Sequence, residues 1–241
     1  MKNVLLLVLF LAGFALQSNA QPPHYDDLVI LYADGSYEKL LKRAEKYTLK
    51  DGTKNDPLPY LYLAKGNYEM SKDAQYAEAY PKAFKDAIKY AGKCLKKDKE
   101  GLVLEEYMDF FTDLKVTCVE DIRNLVETKD YNRLRGSIIN LQRFDKSDVG
   151  SSFLMTAVQY RIKDKSGAKI TFKEAMAKLE AIESTNDWRS VDFVMFRIGI
   201  LEYVSYCEDM GQVEKYQDIL GKTKQWMEKD EEFMEVYNRL M

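Results

Sequence analysis

Histidine is almost missing from this chain: one residue, His24, in 241. A single imidazole in a proline-bearing lead-in excludes His-based catalytic triads, the HExxH zinc helix and any multi-histidine metal site. Cysteine is nearly as scarce. Cys94, Cys118 and Cys207 are an odd number with no CxxC spacing, so neither a disulfide scaffold nor a zinc knuckle is in prospect. Each lies in an apolar-periodic stretch, where one bridge plus a free thiol and three buried thiols fit equally well. Five prolines and twelve glycines provide too few turns for an all-β chain of this length. Charge of one sign is lacking too. Lys and Arg total 36 against 39 Asp and Glu, a formal net charge of −3, with both signs interspersed. No basic stripe marks a nucleic-acid partner. Phosphate-cradling glycine loops are absent, and Asp51-Gly52-Thr53-Lys54-Asn55-Asp56 lacks the alternating ligands of a calcium loop.

There is one long apolar run, Val4 to Leu16. It follows Lys2 and precedes Gln17-Ser18-Asn19-Ala20, which puts small residues at the two positions a signal peptidase reads. Its 13 residues are short of the roughly 20 that span a bilayer. Residues 1–20 are therefore expected to be a cleaved, bacterial-type signal peptide, and residues 21–241 a mature single domain, exported and soluble in the periplasm or beyond. No cysteine stands at the cleavage point to take a lipid anchor. Of the charged residues, cleavage removes only Lys2, leaving 35 basic against 39 acidic, or −4.

The remainder reads as helix. Hydrophobic residues make up 46% and charged residues 31%, an ordered composition rather than a disordered one. From Asp26 onward apolar residues recur at three- and four-residue spacing. The pattern predicts a short helix over 26–33, one to about Leu49 capped by Ser36, and one opened by Pro57 and Pro59 to about Ser71. A fourth is expected from about Ala77 to Lys97, with Pro81 in its first turn. A long helix should cover Leu102 to about Thr128, and Asp130 and Asp148 should each cap a helix. Lys163 to Lys169 reads as a charged loop, Thr171 and Asp187 as caps, and Gly211 and Asp230 as the breaks before the last two helices.

Three turns look alike: Asp34-Gly35-Ser36-Tyr37, Lys129-Asp130-Tyr131 and Met210-Gly211-Gln212-Val213. Ala33 to Leu41 resembles the inter-helix turn of a tetratricopeptide repeat, with a glycine, a small polar residue and an aromatic before the second helix. Pro57 falls where such a repeat ends. Tyr60, Leu63 and Ala64, then Phe84 and Ala87, keep part of the pattern in the next unit. Leu40, Ala44 and Tyr47 depart from it, and no strict 34-residue period survives. The Lys- and Tyr-rich mature chain also resembles exported proteins of the Bacteroidetes in composition. The resemblance implies an all-α fold of antiparallel hairpins stacked as a tetratricopeptide-like superhelix. In that frame Lys65 and Tyr68 point toward the concave groove, the two binding positions it nominates.

Carboxylates are the acid/base groups left. Glu105-Glu106, Glu120-Asp121 and Glu231-Glu232 diverge by about 100° around a helix and do not converge on one substrate atom. No catalytic residue, metal ligand or cofactor is expected. The leading expectation is a non-enzymatic adaptor or scaffold of the cell envelope that binds a protein or peptide, without nucleic acid and without membrane insertion of the mature chain. A small-ligand or glycan-binding helical domain, with some of the 17 tyrosines lining a pocket, is one alternative. A carboxylate-dependent hydrolase is the other.

Overall fold

The computed structural model describes residues 24–241, so the expected signal peptide lies outside the described residues. Those residues form twelve α-helices and no strand. In order they are α1 (Asp26–Ala33), α2 (Tyr37–Leu49), α3 (Pro57–Lys72), α4 (Ala83–Lys97), α5 (Leu102–Glu106) and α6 (Met108–Glu127). Then come α7 (Tyr131–Gln142), α8 (Val149–Arg161), α9 (Lys165–Glu180), α10 (Ser190–Asp209), α11 (Val213–Met227) and α12 (Glu231–Leu240).

Neighbours in sequence are mostly neighbours in space: α1 packs on α2 and α3, α3 on α4, α7 on α8, and α8 on α9. The later helices close up further, because α10 touches α6, α8, α11 and α12. Three apolar clusters follow from this. One joins α1 to α3 around Leu28, Leu40 and Leu63, and a central one runs from Tyr60 to Met195. A third lies around Phe153, Phe196 and Tyr203. Burying each such side chain contributes roughly 1.5–3 kcal/mol.

Four hairpins end their first helix in the same way. Gly35, Lys129, Lys163 and Gly211 all take positive φ, between 55° and 67°. After each, the next amide donates to a carbonyl five residues back: Ser36 to Leu31, Asp130 to Leu125, Asp164 to Gln159 and Gln212 to Cys207. This left-handed cap satisfies carbonyls that the helix end leaves free. It turns α1 into α2, α6 into α7, α8 into α9 and α10 into α11.

Several boundaries differ from the sequence reading. Lys163 to Lys169 is no loop: Asp164 caps α9 by accepting from the Gly167 amide at 2.9 Å, and the helix starts at Lys165, ahead of Thr171. Gly167 sits in the first turn, where a glycine costs little. The helix expected from Ala77 begins at Ala83, which leaves Pro81 ahead of it. Leu102 to Thr128 breaks at Tyr107 (φ −111°, ψ 27°), a break that no proline or glycine announces. Asp187 stands outside α10. Asp192 reaches back instead, accepting from the Arg189 amide at 2.6 Å. Asp130 and Asp148 cap α7 and α8 as expected, Asp230 at the break before the last helix caps α12, and Ser36 makes no side-chain cap.

Two glycines make a close helix crossing. A Cβ built on Gly199 of α10 would lie 1.9 Å from the Gly150 carbonyl oxygen of α8, and one on Gly150 would lie 2.2 Å from the Met195 oxygen. The bare backbones touch there, setting the first turn of α8 against the middle of α10, beside α6.

Candidate functional site

Where those three helices meet, α6 places a lysine in its apolar stripe. Phe111, Lys115, Cys118 and Ile122 share one buried face, and Lys115 is only 6% exposed. A buried ammonium needs partners. Its Nζ donates to Asp145 at 2.6 Å, Asp148 at 2.7 Å and Asp192 at 2.5 Å. Each carboxylate is tied down by a second contact. Asp148 Oδ1 accepts from the Ser151 amide, Asp192 Oδ2 from the Arg189 amide, and Asp145 Oδ1 from the Ser147 hydroxyl. The ion cluster thus fixes the α7–α8 connection and the starts of α8 and α10 on α6.

Burial opposes the charge on Lys115, but the carboxylates of Asp148, Asp145 and Asp192 outweigh it and hold the ammonium's pKa above its ordinary 10.5. Asp148 moves up from 3.8, because full burial together with the neighbouring Asp145 outweighs the attraction of Lys115. Three carboxylates around one ammonium leave a formal excess of two negative charges when all are ionised.

The cluster forms the waist of a cleft with two lobes, cavities of about 690 and 630 Å³ that share Lys115, Asp145, Ser147, Asp187 and Asp192. The first lobe has an apolar lining of Leu104, Phe111 and Val191, with Arg143, Lys146 and Arg189 also in its wall. The second is lined by Trp188 and Phe196, with Glu183 and Lys178. One lobe is therefore richer in cations, while the other has an aromatic and more acidic wall.

Among the described residues, Asp145, Asp148 and Asp192 form a group of acidic ligands close enough to hold a metal ion, with oxygens within 4.8 Å of one another. Lys115 Nζ bonds all three, so a cation would have to displace the ammonium. The three cysteines are free and buried, and none lines the cleft. Burial pushes the Cys94 and Cys118 thiols up to about 12, leaving them protonated and inert at neutral pH. His24 is exposed, as are all six residues of the adjacent carboxylate pairs.

The two nominated groove residues are placed differently from each other. Lys65 is half-buried on α3, with its Nζ over three tyrosine rings at 4.3 Å (Tyr32), 5.2 Å (Tyr107) and 5.7 Å (Tyr62). Burial lowers its pKa. Tyr68 is buried at 6% exposure, and its hydroxyl lies 2.9 Å from Thr117 Oγ1 and 3.2 Å from the Asp113 carbonyl of α6. Neither residue lines the cleft. Lys115 went unnoticed in the sequence, although a lysine at the stripe position between Phe111 and Cys118 is a readable signal. Its partners, 30, 33 and 77 residues away, are not readable.

Comparison with protein-family models, with curated proteins and with solved structures returns no match. The reading of this site rests on its geometry.

Proposed function

We propose that this chain is an exported, non-enzymatic helical-repeat adaptor whose two-lobed cleft binds an extended segment of a protein partner. The cleft itself carries the reading. It offers two adjoining apolar surfaces with cations concentrated along one and acidic groups along the other, joined by a rigid charged waist. That arrangement suits a peptide with apolar side chains at two positions and an acidic residue beside the first, held by a few polar groups on pre-ordered helices. The recurrent left-handed caps support a degenerate tetratricopeptide-like stacking of hairpins. The signal-peptide pattern supports export, and among the described residues no helix is long and apolar enough to cross a membrane.

The test is selection from a displayed random-peptide library, repeated on the double variant Arg143→Glu, Lys146→Glu. Both residues are exposed, and neither forms a side-chain ion pair among the described residues. Enriched peptides should combine apolar residues with an acidic one, and the charge reversal should weaken them at least tenfold, about 1.4 kcal/mol. Failure to enrich any peptide, or enrichment of peptides indifferent to the reversal, rejects the reading. Mass spectrometry of the secreted form checks export, with an N-terminus at Gln21 expected.

A further inference from the structure

Helix α8 is buried along nearly its whole length, yet it carries four buried polar side chains: Ser151, Ser152, Thr156 and Gln159. The three hydroxyls are satisfied by the helix itself. Ser151 and Ser152 donate to the Asp148 carbonyl, and Thr156 donates to that of Ser152. Gln159 is different. It is 8% exposed, and its Oε1 is buried with no hydrogen-bond partner. An unmade bond at a buried acceptor costs about 1–3 kcal/mol, so such a group calls for an explanation.

Ser152, Met155 and Gln159 fall on one stripe of α8 and line a cavity of about 370 Å³, walled on its other sides by α7 and α9. This volume sits at the small end of the ligand-pocket range, roughly 300–1,000 Å³. The cavity shares only Lys146 and Lys178 with the Lys115 cleft. Lys178 is held in place, donating to Ser152 Oγ at 2.8 Å and to the Lys146 carbonyl. Arg135 and Lys146 add two further cations, and Glu174 is the one acidic residue in the lining. The wall therefore bears three positive charges and one negative, together with two acceptors, the unpartnered buried Gln159 Oε1 and the exposed Glu174 carboxylate.

We propose that this cavity binds a small hydroxylated anion of monosaccharide size, its anionic group held by Arg135, Lys146 and Lys178 and its hydroxyls donating to Gln159 and Glu174. The excess of two positive charges selects a net anion over a neutral zwitterion such as an amino acid. The unpartnered acceptor selects a ligand with hydroxyls over a bare inorganic anion. A sugar acid and a sugar phosphate share this chemistry. The site adjoins the proposed peptide cleft, sharing Lys146 and Lys178 with it, and stands whether or not a peptide binds there.

Calorimetric titration of the full mature chain with glucuronate, a hexose phosphate, glucose, inorganic phosphate and alanine decides the matter. Binding of glucuronate, the hexose phosphate or both is expected, at least tenfold tighter than glucose, inorganic phosphate and alanine. Whichever of the two binds more tightly identifies the source of the anion. Gln159→Leu keeps the volume and removes the amide, and Arg135→Ala alters an exposed residue, so both variants should fold. Each should weaken the bound sugar anion about tenfold, and Arg135→Ala should also flatten the salt dependence. Absence of binding at millimolar concentration, inorganic phosphate or alanine binding as tightly as the sugar anions, or a Gln159→Leu variant with unchanged affinity would each overturn the proposal.

Discussion

Two helices, α3 and α8, are surrounded by their neighbours along most of their length, and they handle polarity in opposite ways. In α3 most of the buried polar groups reach outward to protein partners. The Tyr60 hydroxyl donates to the Lys54 carbonyl at 3.0 Å, and Asn67 alone turns back, its Nδ2 donating to the Leu63 carbonyl of the same helix at 2.8 Å. Tyr68 crosses to α6, and Lys65 rests over three tyrosine rings. In α8 the hydroxyls turn back onto the helix's own carbonyls, Asp148 at its start joins a buried ion cluster, and Gln159 faces a cavity with an acceptor unmet. Polarity in α3 therefore fastens one helix to the next. Around α8 it is concentrated at cavities, so α8 is the helix to perturb in a search for binding and α3 the matching control.

Glycine substitution should break this pair of helices most unequally. Gly199→Ala drives a methyl group to 1.9 Å from the Gly150 carbonyl oxygen, a backbone atom that cannot step aside without separating α8 from α10. Gly66→Ala in α3 meets only the Leu40 and Leu41 Cδ2 atoms, at 3.0 and 3.1 Å, and these are ends of flexible side chains. Chemical denaturation should show Gly199→Ala losing more than about 4 kcal/mol, with Gly66→Ala within about 1 kcal/mol of the parent, since better helix propensity offsets mild crowding. Similar losses at both positions would mean that the α8–α10 crossing is no tighter than the packing of α3.

The two buried-face lysines come next. Lys115→Met leaves three carboxylates around an apolar chain end, and removing one side of a buried ion cluster costs about 3–5 kcal/mol. Lys65→Met gives up an ammonium over tyrosine rings, an interaction worth roughly 0.5–2 kcal/mol, while filling the same space with apolar surface. A net change below about 1 kcal/mol is expected there. The pH response separates them further. Lys115 has a folded pKa raised above 10.5, so its contribution is complete below pH 10.5 and is lost as the pH rises beyond it. In Lys115→Met the stranded carboxylates bind protons more readily folded than unfolded, so lowering the pH through the carboxylate range should restore stability. Thermal melts from about pH 3 to about pH 12 check both statements; a Lys115→Met variant equally unstable at every pH would assign the loss to packing rather than charge.

Where helices lie was largely legible, because apolar periodicity and Asp caps at 130, 148 and 230 are local signals. The misplaced boundaries share a cause. At Lys163 to Lys169 the Gly167 and lysine content was weighed as loop, although Asp164 had the spacing to cap Gly167. At Tyr107 the break has no residue-level mark. The candidate site was hardly legible. Lys115 is a charge in an apolar stripe that the sequence reading passes over, and which carboxylates face it depends on a helix crossing set by two glycines 49 positions apart in the chain. Tyr68, nominated for a groove, shows the converse. Its alternation of apolar ring and polar tip fits an inter-helix tie as well as a recognition surface, and only its contacts with Asp113 and Thr117 decide between them.

Those two buried polar side chains, Tyr68 on α3 and Gln159 on α8, supply the finest test of the contrast, because removing their polar groups should shift stability in opposite directions. Tyr68→Phe deletes a hydroxyl that has two protein partners on α6, the Asp113 carbonyl and Thr117 Oγ1. A loss of about 1 kcal/mol is expected, in the usual range for one hydrogen bond. Gln159→Leu deletes an acceptor that has no partner, in a helix interior where leucine is a good former. A gain of up to about 1 kcal/mol is expected in the ligand-free protein, with the melting temperature moving upward. Should Gln159→Leu destabilise as much as Tyr68→Phe, the glutamine amide is bonded within the fold after all. The polarity of α8 would then be fastening, as in α3, and the cavity beside it would lose the acceptor that sets it apart.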